Sequence, residues 1–348
     1  MIKITKFNEY IISSEQTIRK SIIQLGKLKK NFCVVVDADN KYVGTLTDGD
    51  IRRGLLLNFT LKNKVKDVCN RKSKFLVRTT SENKIKEFFK KNDVLFLPFI
   101  NGFKKVIGIY YFSDVEHLNT IENEMLIMAG GKGRRLKPFT NNTPKPLLPV
   151  NGKPIIEQII MTAKKQGIRK FVISINYLGN KIKSYLKNGN KFGVDIKYIN
   201  EDKPLGTAGS LYYLKDSKLP LIVSNADIIS NINYREMIEY HKKLNSYITI
   251  GAISNLEKNH YGNIIFKNNR VKKIEEKIEK KTFINSGIYI LSPNIKKFFK
   301  TKKFFHMTEF IEMAISDKKK VHVFPIHEHW FDYGLKEKYI KQSWKIIF

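Results

Sequence analysis

From residue 124 onward, short apolar runs alternate with stretches of helical period, and this alternation restricts the fold more than any other feature of the chain. The apolar runs are MLIMA (125–129), KFVISIN (170–176), DIKYIN (195–200) and LPLIVSNAD (219–227), with PIIEQIIMTAKKQG (154–167) and KIKSYLKNG (181–189) between them. Parallel strands need a crossover long enough to hold a helix, so strand–helix alternation implies a mainly parallel sheet covered by helices. Ligands of such sheets sit at the carboxyl ends of the strands. The expected fold class is therefore α/β, with a Rossmann-like, mixed but mainly parallel sheet over residues 124–348.

The first 118 residues follow a different plan and repeat themselves. FCVVVDADNKYVGTLTDGDIRRGLL (32–56) reads as strand, turn, strand and helix start; LFLPFINGFKKVIGIYYFSDVEHL (95–118) reads the same way. The turn residues suit hairpins, and an acidic residue stands where each following helix would begin. Helical stretches opening on Ser-Glu, at residues 14 and 81, precede each hairpin. Two α+β copies are expected over 1–118, then a linker over 119–123.

Composition narrows the function classes. No apolar run approaches the roughly 18 residues of a membrane-spanning helix. The N-terminal segment has no apolar export-signal core, and two cysteines are too few for a disulfide framework. These features predict a reduced, cytoplasmic protein with no membrane partner. The net charge of +32 comes from 64 Lys and Arg against 32 Asp and Glu, but the lysines are scattered and no nucleic-acid motif accompanies them. A nucleic-acid partner is not expected, although anionic small molecules would be attracted.

The first strand of the α/β region runs into Ala129, Gly130, Gly131 and Gly133, and then Arg134 and Arg135. Such a turn lets backbone N–H groups approach phosphates. It matches neither the dinucleotide fingerprint, which would need glycine at Leu136, nor a P-loop, which would need a Lys-Ser/Thr pair.

The longer pattern is more specific. Gly130-Gly131-x-Gly133-x-Arg135-Leu136 followed by Pro144-Lys145-Pro146 resembles the signature of the sugar-1-phosphate nucleotidyltransferases, which have a GT-A-like fold. EDKPLGTAGSL (201–211) is similar to that family's base-reading loop, VSNAD (223–227) to its metal segment, and Glu276-Lys277 with Asn285 to its sugar-phosphate segment. HWFDYG (329–334) is similar to its second metal segment. The resemblance implies that Arg135, Lys145 and Lys277 are catalytic. Ala129, Gly130, Gly131, Gly133, Glu201, Gly206 and Thr207 would bind nucleotide, Glu276 and Asn285 the sugar phosphate, and Asp227 and Asp332 Mg²⁺. Arg134 departs from the family pattern, which usually has a small hydroxyl residue there.

The implied reaction is attack of a sugar 1-phosphate oxygen on the α-phosphorus of a nucleoside triphosphate. The nucleophile is already an anion, so the obstacle is charge repulsion, about 4 kcal/mol per unit pair at 4 Å and an effective dielectric near 20. Cations at the site answer that need. Glu201, which can only accept, suits the two adjacent donors of guanine, so GTP is the expected nucleotide; thymidylyl or uridylyl transfer is the alternative.

The N-terminal repeat resembles a pair of CBS domains, which bind adenosine nucleotides. The ribose signature stands as Gly44, Thr47 and Asp50 in the first copy. In the second, Gly108 and Asp114 remain, with Tyr111 at the Thr position. The resemblance implies an AMP or ATP effector or a dimerising role, and a homo-oligomer. A CBS pair ahead of such a transferase resembles the glucosamine-1-phosphate guanylyltransferases of legionaminic acid synthesis, with mannose or heptose 1-phosphate as alternatives. A nucleotide sensor carrying an inactive transferase is the non-enzymatic alternative.

Overall fold

The computed structural model describes residues 2–4, 6–28, 31–77, 85, 87–89, 94, 96–111, 120–258, 263–275, 279–299 and 301–343. The chain divides into two compact units, Met1–His117 and Leu118–Phe348. Among the described residues, no helix is long and apolar enough to cross a membrane.

The second unit is built on a seven-stranded sheet. Its spatial order is Asp195–Asn200, Lys170–Ile175, Met125–Ala129, Leu221–Asn225, Glu279–Leu291, Ile248–Lys258 and Val321–Ile326. Neighbours pair in parallel except Glu279–Leu291, which is antiparallel to the strands on both sides. The expected mixed, mainly parallel sheet is therefore present. Helices Ile155–Lys165, Gly179–Leu186, Tyr234–Lys243 and Met307–Ser316 provide connections between its strands.

Side chains alternate across a strand, and here both faces are covered. Met125, Ile127 and Ala129 enter one apolar cluster with Ile156 and Ile160, while Leu126 enters another with Phe310 and Ala314. Phe171 and Ile173 against Val172 repeat the pattern on the next strand. This explains why the strands read as unbroken apolar runs. Each fully buried Ile or Leu contributes roughly 1.5–3 kcal/mol.

Strand order reverses around Met125–Ala129. Two strands later in sequence lie on one side of it, and Leu221–Asn225 lies on the other. That switch point leaves a crevice at the carboxyl ends, where neighbouring connections run to opposite sides of the sheet. Of the expected linker, residues 120–123 belong to the packing of this unit. Ile121 is buried and bridges Ile168, and the Asn123 amide donates to the Pro220 carbonyl at 2.6 Å.

In the first unit, Ile11–Ser13 pairs in parallel with Phe32–Val36, which pairs antiparallel with Tyr42–Thr47. The second copy reproduces this with Leu76–Val77, Phe96–Ile100 and Val106–Tyr111, and Ile2–Ile4 adds a fourth strand. Even the irregularities correspond: register shifts after Val35, opposite Gly44, and after Phe99, opposite Gly108. The equivalent residues Phe32 and Phe96 stack with centroids 3.7 Å apart, and the two hairpin turns meet where Lys41 bridges Lys105.

Buried polar groups on the sheet's helical cover carry a pH dependence. His241, on Tyr234–Lys243, is 3% exposed and its Nδ1 lies 2.9 Å from the Thr249 hydroxyl. Burial, reinforced by nearby His322 and Lys242, lowers its pKa from 6.5 to about 4. The unfolded chain binds the proton first, so this contribution is complete above about 6.5 and is lost as the pH falls toward 4. The loss is at most roughly 3 kcal/mol. Thermal unfolding followed from pH 7.5 to 4 should show a falling midpoint that His241→Asn flattens; parallel profiles for the two proteins would refute this account.

Candidate active site

A cleft of about 400 Å³ opens at the switch point. Its floor is the end of the strand Met125–Ala129, and its walls begin where the neighbouring strands stop: Ser174 and Glu201 on one side, Asn225 and Asp227 on the other. Of the residues singled out in the sequence, Ala129, Gly130, Gly131, Gly133, Arg135, Lys145, Glu201, Gly206, Thr207 and Asp227 line it.

The glycine turn is held from below. Gly133 adopts φ +60°, and a Cβ there would stand 2.9 Å from Thr140 Cγ2. Thr140 is buried and donates its hydroxyl to the Gly133 carbonyl at 2.9 Å. Arg134–Leu136 then forms a single 3₁₀ turn anchored by buried Leu136, with both arginines exposed. A second short 3₁₀ turn, Lys145–Leu147, starts after Pro144 and carries Lys145 into the cleft.

Lys145 forms an ion pair with Asp227, and both side chains are largely buried. Asp227 follows the strand Leu221–Asn225, and the next segment, Ile228–Ser230, pairs antiparallel with Trp330–Asp332. This register sets Ile228 opposite Asp332 and brings Asp332 to the same corner. The Tyr333 N–H donates to the Asp227 carbonyl at 3.0 Å, and the Gly334 N–H donates to Asp332 Oδ1 at 2.6 Å. A Cβ on residue 334 would stand 2.7 Å from Asp332 Oδ1, 3.3 Å from Lys145 Nζ and 3.4 Å from Asp227 Oδ2. A side chain there would have to push the Asp332 carboxylate aside, so the corner is closely packed around residue 334.

Asp227 and Asp332 together form a hard-oxygen donor pair, and among the described residues no group of three His, Cys, Asp or Glu is placed to hold a metal. That set fits Mg²⁺, which binds through one or two carboxylates and completes its shell with phosphate oxygens and water. Asp227 already accepts a cation, the Lys145 ammonium.

On the other wall, Glu201 is 7% exposed and seated directly after the strand Asp195–Asn200. Its Oε2 accepts from the Leu205 N–H at 3.3 Å and would contact a Cβ on Gly130 at 3.0 Å. Burial pushes its pKa above the ordinary carboxylate value, opposed in part by the Leu205 N–H and the Ser174 hydroxyl. The loop after it is clamped. Gly206, at φ +77°, leaves room for the Phe305 carbonyl, which a Cβ would meet at 2.5 Å. The Ala208 N–H donates to that carbonyl, and Thr207 Oγ1 accepts from the Met307 N–H at 2.8 Å.

Other expectations fall differently. Asn285 is exposed, does not line the cleft, and its Oδ1 accepts from the Gly287 N–H at 3.0 Å. Glu276, Lys277 and Asp114 lie outside the described residues. Thr47 and Asp50 are bonded to each other, Thr47 Oγ1 donating to Asp50 Oδ2 at 2.7 Å in the capping box of the helix Asp48–Leu56. Arg53 pairs with the other Asp50 oxygen. Gly44 is needed for a second reason, since a Cβ there would strike the Asn70 carbonyl at 2.5 Å.

The sequence reading missed Ser174, Asn225, Phe304, His306 and Gly334, all in the cleft lining. Ser174 and Asn225 were visible as polar residues in apolar strands. Phe304 and His306 had no local signal, because the contact with the Gly206 loop brings them in.

Similarity to known proteins follows this division. Residues 124–347 match the family described as "Nucleotidyl transferase", and residues 6–57 match the CBS domain. The mannose-1-phosphate guanyltransferase of Debaryomyces hansenii is 31% identical over 225 residues, covering 62% of this chain and 62% of that protein. That of Yarrowia lipolytica is 32% identical over 226 residues, covering 62% and 61%. The chain thus spans about three fifths of the length of these curated relatives. Among solved structures, HddC from Yersinia pseudotuberculosis, also solved in complex with GMP-PN, has 27% identity and a TM-score of 0.50, covering 64% of this chain and 99% of that one. With a CBS domain at its N-terminus and this cleft in its second unit, the chain belongs to the Nucleotidyl transferase family.

Proposed function

We propose that the chain transfers a guanylyl group from GTP to a hexose 1-phosphate, giving a GDP-sugar and pyrophosphate. The observation that carries this reading is the pair of walls flanking the Met125–Ala129 strand end. One holds a buried acceptor, Glu201; the other holds Lys145, Asp227 and the adjacent Asp332. Glu201 suits the N1–H and N2 amine of guanine, and the names of the curated relatives agree with that base. Their names carry mannose 1-phosphate, whereas the CBS-first domain order favours α-D-glucosamine 1-phosphate, destined for legionaminic acid.

In this reading the chain's own contribution is placement and charge. The glycine turn and Arg135 receive the triphosphate, and Lys145 neutralises it close to the α-phosphorus. Lys277 and Glu276, with Asn285, serve the sugar phosphate. Mg²⁺ held by Asp227 and Asp332 would neutralise phosphate charge. No side chain needs to remove a proton from the nucleophile, so alignment and electrostatics carry the rate. The first unit acts as a regulatory or dimerising module in a cytoplasmic homo-oligomer. An AMP or ATP ribose reaching Thr47 and Asp50, with Asp114 from the second copy, would displace Arg53 from Asp50.

Purified protein with Mg²⁺, each nucleoside triphosphate and a panel of sugar 1-phosphates should release pyrophosphate fastest with GTP. Equal or faster release with UTP or dTTP would refute the base assignment, and the ratio of glucosamine to mannose 1-phosphate turnover selects the sugar. Guanine binding requires ionised Glu201, whose pKa is raised by burial. The KM for GTP should therefore climb on acidification, starting above the ordinary carboxylate range. Glu201→Gln should raise it roughly tenfold and remove the pH dependence; a pH-dependent KM in the variant would contradict this role. Gly334→Ala forces Asp332 Oδ1 aside and should lower kcat by about tenfold or more with an unchanged unfolding midpoint. Normal turnover in that variant would show that the corner tolerates displacement.

A further inference from the structure

Arg134 is the cleft residue that the family pattern does not account for. It opens the same 3₁₀ turn as Arg135, and side chains one residue apart on such a turn diverge by about 120°. Buried Leu136 takes the direction toward the core, which leaves the two arginines pointing elsewhere, and both line the cleft. Neither arginine is joined to a carboxylate among the described residues. Lys145, the other strong cation in the described lining, is already paired with Asp227. Glu201 is turned toward the Leu205 N–H. The described cleft lining therefore carries two consecutive arginines without carboxylate partners, on a turn whose backbone Thr140 and Leu136 hold in place.

A triphosphate offers more charge than one guanidinium can cover. When the new P–O bond forms from the sugar phosphate to the α-phosphorus, the α–β P–O bond breaks and its electron pair leaves with pyrophosphate. No proton moves, so the negative charge accumulating on the leaving group has to be met by fixed cations. Planar guanidinium groups suit bidentate contact with phosphate oxygens.

We propose that Arg134 holds the β- and γ-phosphates beside Arg135 and so neutralises the departing pyrophosphate. The inference rests on the transferase reading but not on the choice of base. Arg134 is a phosphate-binding residue, and it distinguishes pyrophosphate-bearing ligands from monophosphates. An arginine that only faced solvent would distinguish neither.

The test uses the full-length protein with Mg²⁺ and inorganic pyrophosphate as probe, titrated calorimetrically. The control is the nucleoside monophosphate of whichever base the wild type uses. Arg134→Gln should weaken pyrophosphate binding by about tenfold or more while leaving the monophosphate within about twofold, and Arg134→Lys should regain part of the loss. Unchanged pyrophosphate affinity in Arg134→Gln would overturn the proposal. So would an equal loss of monophosphate affinity, which would mark a structural role in the turn. A wild type that turns over UTP instead of GTP would refute the guanine assignment and leave the pyrophosphate result standing.

Discussion

The ion pair between Lys145 and Asp227 fixes the charge balance on which the rest of the second unit depends. It joins a loop that follows the first sheet strand to the end of the fourth, across the point where strand order reverses. A buried carboxylate needs a cation beside it, and a buried ammonium needs an anion. Here each meets the need of the other. The same corner is so closely packed that a Cβ on residue 334 would push the Asp332 carboxylate aside. Seven strands, two apolar clusters and the antiparallel pairing of Ile228–Ser230 with Trp330–Asp332 bring three charged side chains and one missing Cβ together.

Charge also explains the division of labour between the two walls. On the Asp227 side, Lys145 and Asp227 are paired, and Asp332 accepts from the Gly334 N–H. On the Glu201 side, a single carboxylate is walled in by Gly130, the Leu205 N–H and Ser174, and its ionisation is made harder by burial. One wall holds a paired cation and anion, the other a single carboxylate held by hydrogen bonds. The loop from Glu201 to Gly209 is tied through its backbone to Phe305 and through the Thr207 hydroxyl to the Met307 N–H, a contact between segments about a hundred residues apart.

The parts of this arrangement carried by short, contiguous residue patterns were legible in the sequence. The glycine turn, Arg135, Lys145, Glu201 and Asp227 are local signals, and strand–helix alternation announced the parallel sheet on whose ends they stand. What escaped is long-range. Phe304 and His306 enter the cleft because of a loop clamp that no spacing rule reveals, and Gly334 is explained only by the three side chains around it. Thr47 and Asp50 show the opposite effect. The motif that reads as a ribose site is also a capping box, and in this structure its donors and acceptors are turned on one another. Asn285 sits at the irregular pairing of Ile248–Lys258 with Glu279–Leu291, where its side chain serves Gly287.

The strand Trp330–Asp332 is among the last segments of the chain, yet it completes a corner begun by Lys145 and Asp227. The helix after it is tied back to the start of the unit, since the Tyr339 hydroxyl donates to the Pro149 carbonyl at 3.1 Å. The corner is therefore assembled from segments about a hundred residues apart in sequence, and a fragment lacking residues 330–334 would keep Lys145 and Asp227 but lose the groups packed beside them.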